Sequence, residues 1–192
     1  MNNFTLKPEI LSSPNIPKPL HGLNPRTIKG QGWWDITRQQ AYQSTDYHCI
    51  ACGVHKTEAK DKQWLEAHED LHIDYKTGAC EVRSIVPLCH YCHNFIHSGR
   101  LYVMTTKGQI SMDKAIEILQ HGIEILKINN LRIYTGTNDI AEEFGLIKLL
   151  KEIPIFTPPI GVKWDKWHLV LDGKEYYSKF KDMNEWHSFY NK

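Results

Sequence analysis

The chain has 192 residues, with 23 Lys and Arg against 22 Asp and Glu and a formal net charge of +1 with His neutral. A charge this small gives no global steering toward nucleic acid, and 41% hydrophobic with 23% charged residues is ordinary globular composition. No apolar run approaches the roughly 20 residues that span a bilayer. The start, MNNFTLKPEILSSPNIPKP, lacks the basic end and apolar core of a signal peptide. The expectation is a soluble, cytoplasmic protein of one domain, or a small core with appendages.

Residues 1–32 form a Pro-rich arm. Pro8, Pro14, Pro17, Pro19 and Pro25 predict little regular structure before Trp33. Lys7, Lys18, Arg26 and Lys29 face Glu9 alone, so the arm either lies along a phosphate backbone or packs as a solvated tail. WWDITRQQAYQS reads as a helix with Trp33, Trp34, Ile36 and Ala41 on one broad apolar face. QWLEAHEDLHIDY reads as a short strand running into a loop, and CEVRSIVPLC as a second strand. YCHNFIHSG begins a helix that Gly99 ends.

Ser111 opens a further helix with an apolar stripe of Met112, Ala115, Ile116, Leu119, Ile123 and Leu126. Thr137 or Asn138 caps DIAEEFGLIKLLKEI, which Pro154 stops. FTPPIG is a linker or turn. In WHLVLDGKEYYSKF, Asp172-Gly173 suits a tight hairpin turn. DMNEWHSFY follows as a short helix with Asp182 and Glu185 spaced as a capping box.

The cysteines carry the first chemical signal. Five is an odd number, and four of them form two Cys-x-x-Cys pairs, Cys49/Cys52 and Cys89/Cys92. That pattern points to metal in a reducing compartment, not to disulfides. Four thiolates close a tetrahedral structural Zn²⁺ site. Gly53 suits the tight turn after the first pair, and the second pair sits where a helix begins. Cys80 is left over as a small buried residue.

The histidines carry the second. His93 and His97 are four apart on a predicted helix, so both imidazoles share a face. His68, on the first strand, supplies a third. Four cysteines already complete the zinc shell, so the histidines imply a separate site with open positions. His90, inside the second Cys-x-x-Cys, is expected to face solvent, and His48, His55, His21, His121, His168 and His187 receive no role.

The residues CIACG, LEAHEDLHIDY and SIVPLCHYCHNFIHSG, within 49–99, resemble the HNH endonucleases, the ββα-metal nucleases, in their zinc-stapled phage and bacterial form. The resemblance implies a small zinc-stapled ββα-metal (treble-clef-like) core, and with the flanking helices and the C-terminal β-hairpin plus helix read from the residues the expected fold is α+β. The chain is expected to divide into the arm (1–32), the HNH-like domain (33–110), a helical extension (111–157) and an aromatic-rich tail (158–192), which lies outside the resemblance. In that family a first-strand pair supplies a metal ligand and a general base. Carried over, His68 is the ligand with Glu69 as base, or His68 itself is the base. His72 is a further candidate base. His93 and His97 are the helix ligands of a second divalent metal, Mg²⁺, Mn²⁺, Ni²⁺ or Zn²⁺. The family's base-orienting Asn falls here on Ser84. The implied activity is metal-dependent hydrolysis of phosphodiesters, most readily of DNA. Candidate phosphate contacts are Arg83, Arg100, Lys107, Arg26 and Lys29.

Two other readings stand beside it. One is a non-catalytic zinc module that binds nucleic acid or protein. The other places the specific function in the tail, where Trp164, Trp167, Tyr176, Tyr177, Phe180, Trp186, Phe189 and Tyr190 either stack on a partner or form a local core. Oligomeric state is open.

Overall fold

The structure, a computed structural model, describes residues 4–190. It mixes helix and sheet, as an α+β chain does. Two compact units are assembled from interleaved segments: 1–15, 41–68 and 86–157 form one, and 16–40, 69–85 and 158–192 the other.

In the first unit Cys49 and Cys52 stand in the turn ahead of strand β1 (Leu65–Asp74), and the other metal-ligand candidates lie on β1, on strand β2 (Ala79–Cys89), and on or just after helix α3 (His90–Ile96); of the two strands, residues 65–68 and 86–89 belong here. Cys89 is extended (φ −69, ψ 162) and acts as the N-cap position of α3. His97, at φ −88 and ψ 39, ends α3, and helix α4 (Ser98–Thr106) starts at once. The helix therefore does not stop at Gly99. That glycine lies inside α4 with an ordinary backbone, and the break between the helices falls two residues earlier, at His97.

Helix α5 (Met112–Ile128) packs on α3. The Ser111 hydroxyl accepts from the Lys114 amide at 3.2 Å, the expected N-cap. The buried stripe is Ala115, Ile118, Leu119, Gly122, Ile123 and Leu126. Met112 is 49% exposed, because the first turn runs ahead of the core. With Leu88, Cys92 and Phe95, this stripe belongs to one buried cluster.

Helix α6 (Thr135–Glu143) begins earlier than expected, and its N-cap residue is Tyr134. Thr137 and Asn138 are buried inside it, where the Thr137 hydroxyl meets that of Ser98 at 2.9 Å and Asn138 donates to Glu142. Gly145, at φ +80, breaks the helix before the short α7 (Ile147–Leu150). Two-residue strands β3 (Ile133–Tyr134) and β4 (Ile155–Phe156) pair in parallel beyond it.

The second unit holds the outer parts of β1 and β2, with β5 (His168–Leu171) and β6 (Lys174–Tyr177) in the order β1-β2-β5-β6. β5 runs parallel to β2, Cys80 opposite Leu169, and antiparallel to β6. Asp172 (φ 51) and Gly173 (φ 71) both take the left-handed conformation that a tight type I′ hairpin requires. Leu20, Cys80, Trp167 and Leu169 form its buried centre.

The prolines do not keep the N-terminal residues irregular. Short 3-10 helices cover Pro8–Ser12 and Lys18–Leu20, and helix α1 covers Pro25–Lys29. Proline's fixed φ suits a first helical position, and Asn24 and Thr27 cap α1 reciprocally. Helix α2 (Gln31–Ser44) fully buries only Ala41 and leaves Ile36 63% exposed, so the broad apolar face expected there is half used. Helix α8 (Met183–Tyr190) forms half of the expected capping box: the Glu185 amide donates to Asp182 at 2.9 Å, while the Glu185 carboxylate accepts from the Lys181 amide at 2.6 Å. Phe180 and Trp167 are buried, whereas Phe189 and Tyr190 remain about half exposed. Among the described residues no helix is long and apolar enough to cross a membrane.

Candidate metal centre

The chain turns back on itself at Cys49–Val54. The Cys49 amide donates to the Val54 carbonyl and the Gly53 amide to the Cys49 carbonyl, both at 2.9 Å. Gly53 sits at φ +78, which a side chain would strain. The Ile50 amide reaches the Pro87 carbonyl at 2.9 Å. That bond brings the knuckle to the end of β2, where Cys89 and Cys92 stand.

The four sulfurs of Cys49, Cys52, Cys89 and Cys92 all lie within 4.8 Å of one another, and none is in a disulfide. Cys52 Sγ is 3.7 Å from Cys89 Sγ. A tetrahedron with metal–sulfur bonds of about 2.3 Å has edges of about 3.8 Å, so the spacing fits a four-thiolate site. Hydrogen bonds from the Cys49, Cys52 and Cys92 thiols push Cys89 down, and the neighbouring Cys49, Cys52 and Cys89 sulfurs push Cys92 up. The set shares protons because four bare thiolates at this range repel, a conflict a dication removes. His121 Nε2 lies 3.4 Å from Cys92 Sγ, a contact with no signature in the spacing because it crosses from α5 to α3. Cys80 is separate. Burial, then the Glu69 charge, pushes its thiol up to about 12.

The second cluster is His68, His93 and His97, whose nitrogens also lie within 4.8 Å of one another. Ring centroids are 4.6–5.5 Å apart and every pair meets edge-on. His68 is 6% exposed. Burial first, then His97 and His93, hold it well below the usual imidazole range. Burial, His93 and Arg100 push His97 down to about 4. Both are therefore neutral near pH 7, the form that binds metal. The Nδ1 atoms of His68 and His93 are buried without a hydrogen-bond partner. The His68 nitrogen is a cost of about 1–3 kcal/mol that a bound cation would relieve, whereas His93 Nδ1 lies against the Glu66 carboxylate. Donor type, convergence and the orphaned His68 nitrogen all fit a divalent ion.

Glu66, two residues before His68, joins this arrangement. Its Oε1 lies 2.6 Å from His90 Nδ1, and its Oε2 lies 2.9 Å from His93 Nδ1. The His93 contact is close but out of line for a hydrogen bond, which is why that nitrogen still counts as unpaired. Burial pushes the Glu66 carboxyl up, but the His90 and His93 imidazoles outweigh it and hold it well below the usual carboxylate range. His90 therefore turns toward Glu66 instead of facing solvent. Alternation along β1 was the available signal for Glu66, since it shares a strand face with His68.

Of the remaining site candidates, Glu69, His72, Arg83, Ser84, Arg26 and Lys29 belong to the second unit. Glu69 follows His68 and so points from the opposite strand face, where its charge reaches Cys80. Ser84 and Arg83 are exposed on β2, and His72 is exposed on β1. Arg100 is exposed at the start of α4, and its charge reaches His97. Lys107 is exposed just after α4. Arg26 bonds Gln31 at 2.6 Å, and Lys29 pairs with Asp172, so both arm cations have protein partners.

Comparison of the chain with protein-family models, with curated proteins and with solved structures finds no match.

Proposed function

We propose that this chain is an HNH-type, metal-dependent endonuclease that hydrolyses phosphodiester bonds of nucleic acid, DNA in the first instance. The observation that carries the reading is the convergence of His68, His93 and His97, with a buried nitrogen of His68 left without a partner and with His93 and His97 following the last cysteine of the four-cysteine cluster in sequence. In this reading Cys49, Cys52, Cys89 and Cys92 hold a structural Zn²⁺ that staples a treble-clef-like unit. The three histidines hold a second divalent ion, which when bound supplies charge stabilisation at the phosphate oxygens.

The chain's own residues do the rest. Burial keeps His68 and His97 neutral and ready to ligate. The proton of the attacking water goes to His68 in one assignment, which leaves His93 and His97 alone on the ion, or to Glu69 in the other, although the Glu69 side chain leaves the opposite face of β1 from His68. By the family resemblance Ser84 takes the place of the amide that orients the base, and Arg100 offers a phosphate contact that positions without reading sequence.

The test is supercoiled plasmid incubated with Mg²⁺, Mn²⁺, Ni²⁺ or Zn²⁺, with and without chelator. Nicking is expected with at least one ion, and is lost on chelation and in His68→Ala and His97→Ala. No nicking with any ion, or nicking that survives both substitutions, overturns the proposal. Glu69→Gln then separates the two bases: lost nicking with retained metal binding assigns the role to Glu69.

A second reading, a non-catalytic zinc module that binds nucleic acid, is favoured by Ser84, whose hydroxyl reaches less far than an amide. Gel retardation of DNA without nicking by any ion identifies it.

A further inference from the structure

Glu66 and His68 are two apart on β1, so their side chains leave the same strand face. From there the Glu66 carboxylate divides between two imidazoles of α3. One oxygen meets His90 Nδ1 at 2.6 Å, and the other lies 2.9 Å from His93 Nδ1. His93 belongs to the convergent set of three, and His90 does not. The outer histidine is itself held, since the buried Asn94 donates to the His90 carbonyl at 2.8 Å and places its amide 3.3 Å from His90 Nε2, the ring nitrogen that Glu66 leaves free to accept. The order is thus an anchored imidazole, a carboxylate, then an imidazole of the cluster.

We infer that Glu66 is a positioning residue for the three-histidine site: it orients the His93 ring toward the ion, with His90 fixing the carboxylate's other oxygen. This rests on the reading of His68, His93 and His97 as metal ligands. A histidine ring can turn about its last side-chain bond and carry its ligating nitrogen out of the site. A carboxylate against the ring limits that turn and makes the imidazole a stronger donor. Removing such a partner weakens metal binding by about 10- to 100-fold. Glu66 contributes no atom to the convergent set, so its effect passes through His93.

The alternative role for Glu66 is a plain strand-to-helix tie, and metal affinity separates the two. The full chain, its cysteine site filled with one equivalent of zinc, is titrated with Co²⁺, and the visible absorption of the second site is followed. Glu66→Gln keeps the shape and removes the charge. It is expected to weaken Co²⁺ binding by about 10- to 100-fold, and Glu66→Asp to fall between it and the parent. His90→Gln, which frees one oxygen only, is expected to cost less than Glu66→Gln. If Glu66→Gln does not fold, Glu66→Asp is judged alone, and an unchanged affinity counts against the role. A Glu66→Gln protein that melts lower yet binds Co²⁺ as the parent does overturns the inference. So does a parent chain that takes up no second ion. A parent that binds Co²⁺ through Glu66 but nicks no plasmid overturns the nuclease proposal and leaves the role of Glu66 standing.

Discussion

Gly122 of α5 lets the ring of Phe95 of α3 occupy the space where a side chain would begin: a Cβ on Gly122 would lie 2.2 Å from the ring. Phe95 is fully buried between His93 and His97 in sequence. The closeness of the two helices therefore sets where the helix carrying both histidines sits.

Gly122→Ala tests that closeness. Alanine gains about 1 kcal/mol of helix propensity over glycine, but overpacking costs about 1–3 kcal/mol, and a 2.2 Å approach is far inside contact. The clash is expected to win, with a fall of several degrees in Tm and weaker uptake of a second metal. A rise in Tm would show that the helices do not pack this tightly.

The cysteine cluster predicts a thiol count. In the native protein the four clustered sulfurs are expected to react slowly with a disulfide reagent, and Cys80, pushed up to about 12, to stay inert. A mercurial, which captures the thiolates, should release one zinc as four equivalents are taken up. Cys92→Ser should lose the zinc and the cooperative melt. Retention of one zinc per chain by Cys92→Ser would contradict the site.

His97 predicts a pH slope. Its folded value of about 4 lies below an unfolded value of about 6.5, so the unfolded chain takes up the proton first as pH falls. Stability is therefore unaffected above about 6.5 and declines as pH drops toward 4, by up to about 3 kcal/mol. With only the cysteine site metal-loaded, denaturant midpoints at pH 7 and pH 5 should differ less in His97→Gln than in the parent. Equal slopes would remove His97 as the source.

The hairpin turn predicts a purely backbone effect. Gly173 has φ +71 and open space around its Cα, so Gly173→Ala costs only left-handed strain, about 1–2 kcal/mol. Amide exchange is expected to quicken in β5 and β6. Unchanged exchange there would argue against the type I′ turn.

The signals that spacing along the chain can carry were legible. A Cys-x-x-Cys turn aims two sulfurs at one point, four residues of helix align His93 with His97, and Asp172-Gly173 tolerates φ above zero. These follow from local geometry, which the sequence by itself determines. Proline in the arm misled because it resists the middle of a helix but favours its first turn. Gly99 misled because a helix end depends on the backbone angles at His97, which no residue type announces.

Tertiary structure decided which distant residues meet. Glu66 reads as an ordinary strand carboxylate until β1 faces α3, and only then does it divide between His90 and His93. His121 acquires its contact with Cys92, and Gly122 its value to Phe95, only because α5 lies on α3. The Glu69 charge reaches Cys80 only because β1 lies beside β2. Local chemistry can be read from neighbours in the chain; pairing across elements depends on how buried surface is shared, which is settled only when the whole core packs.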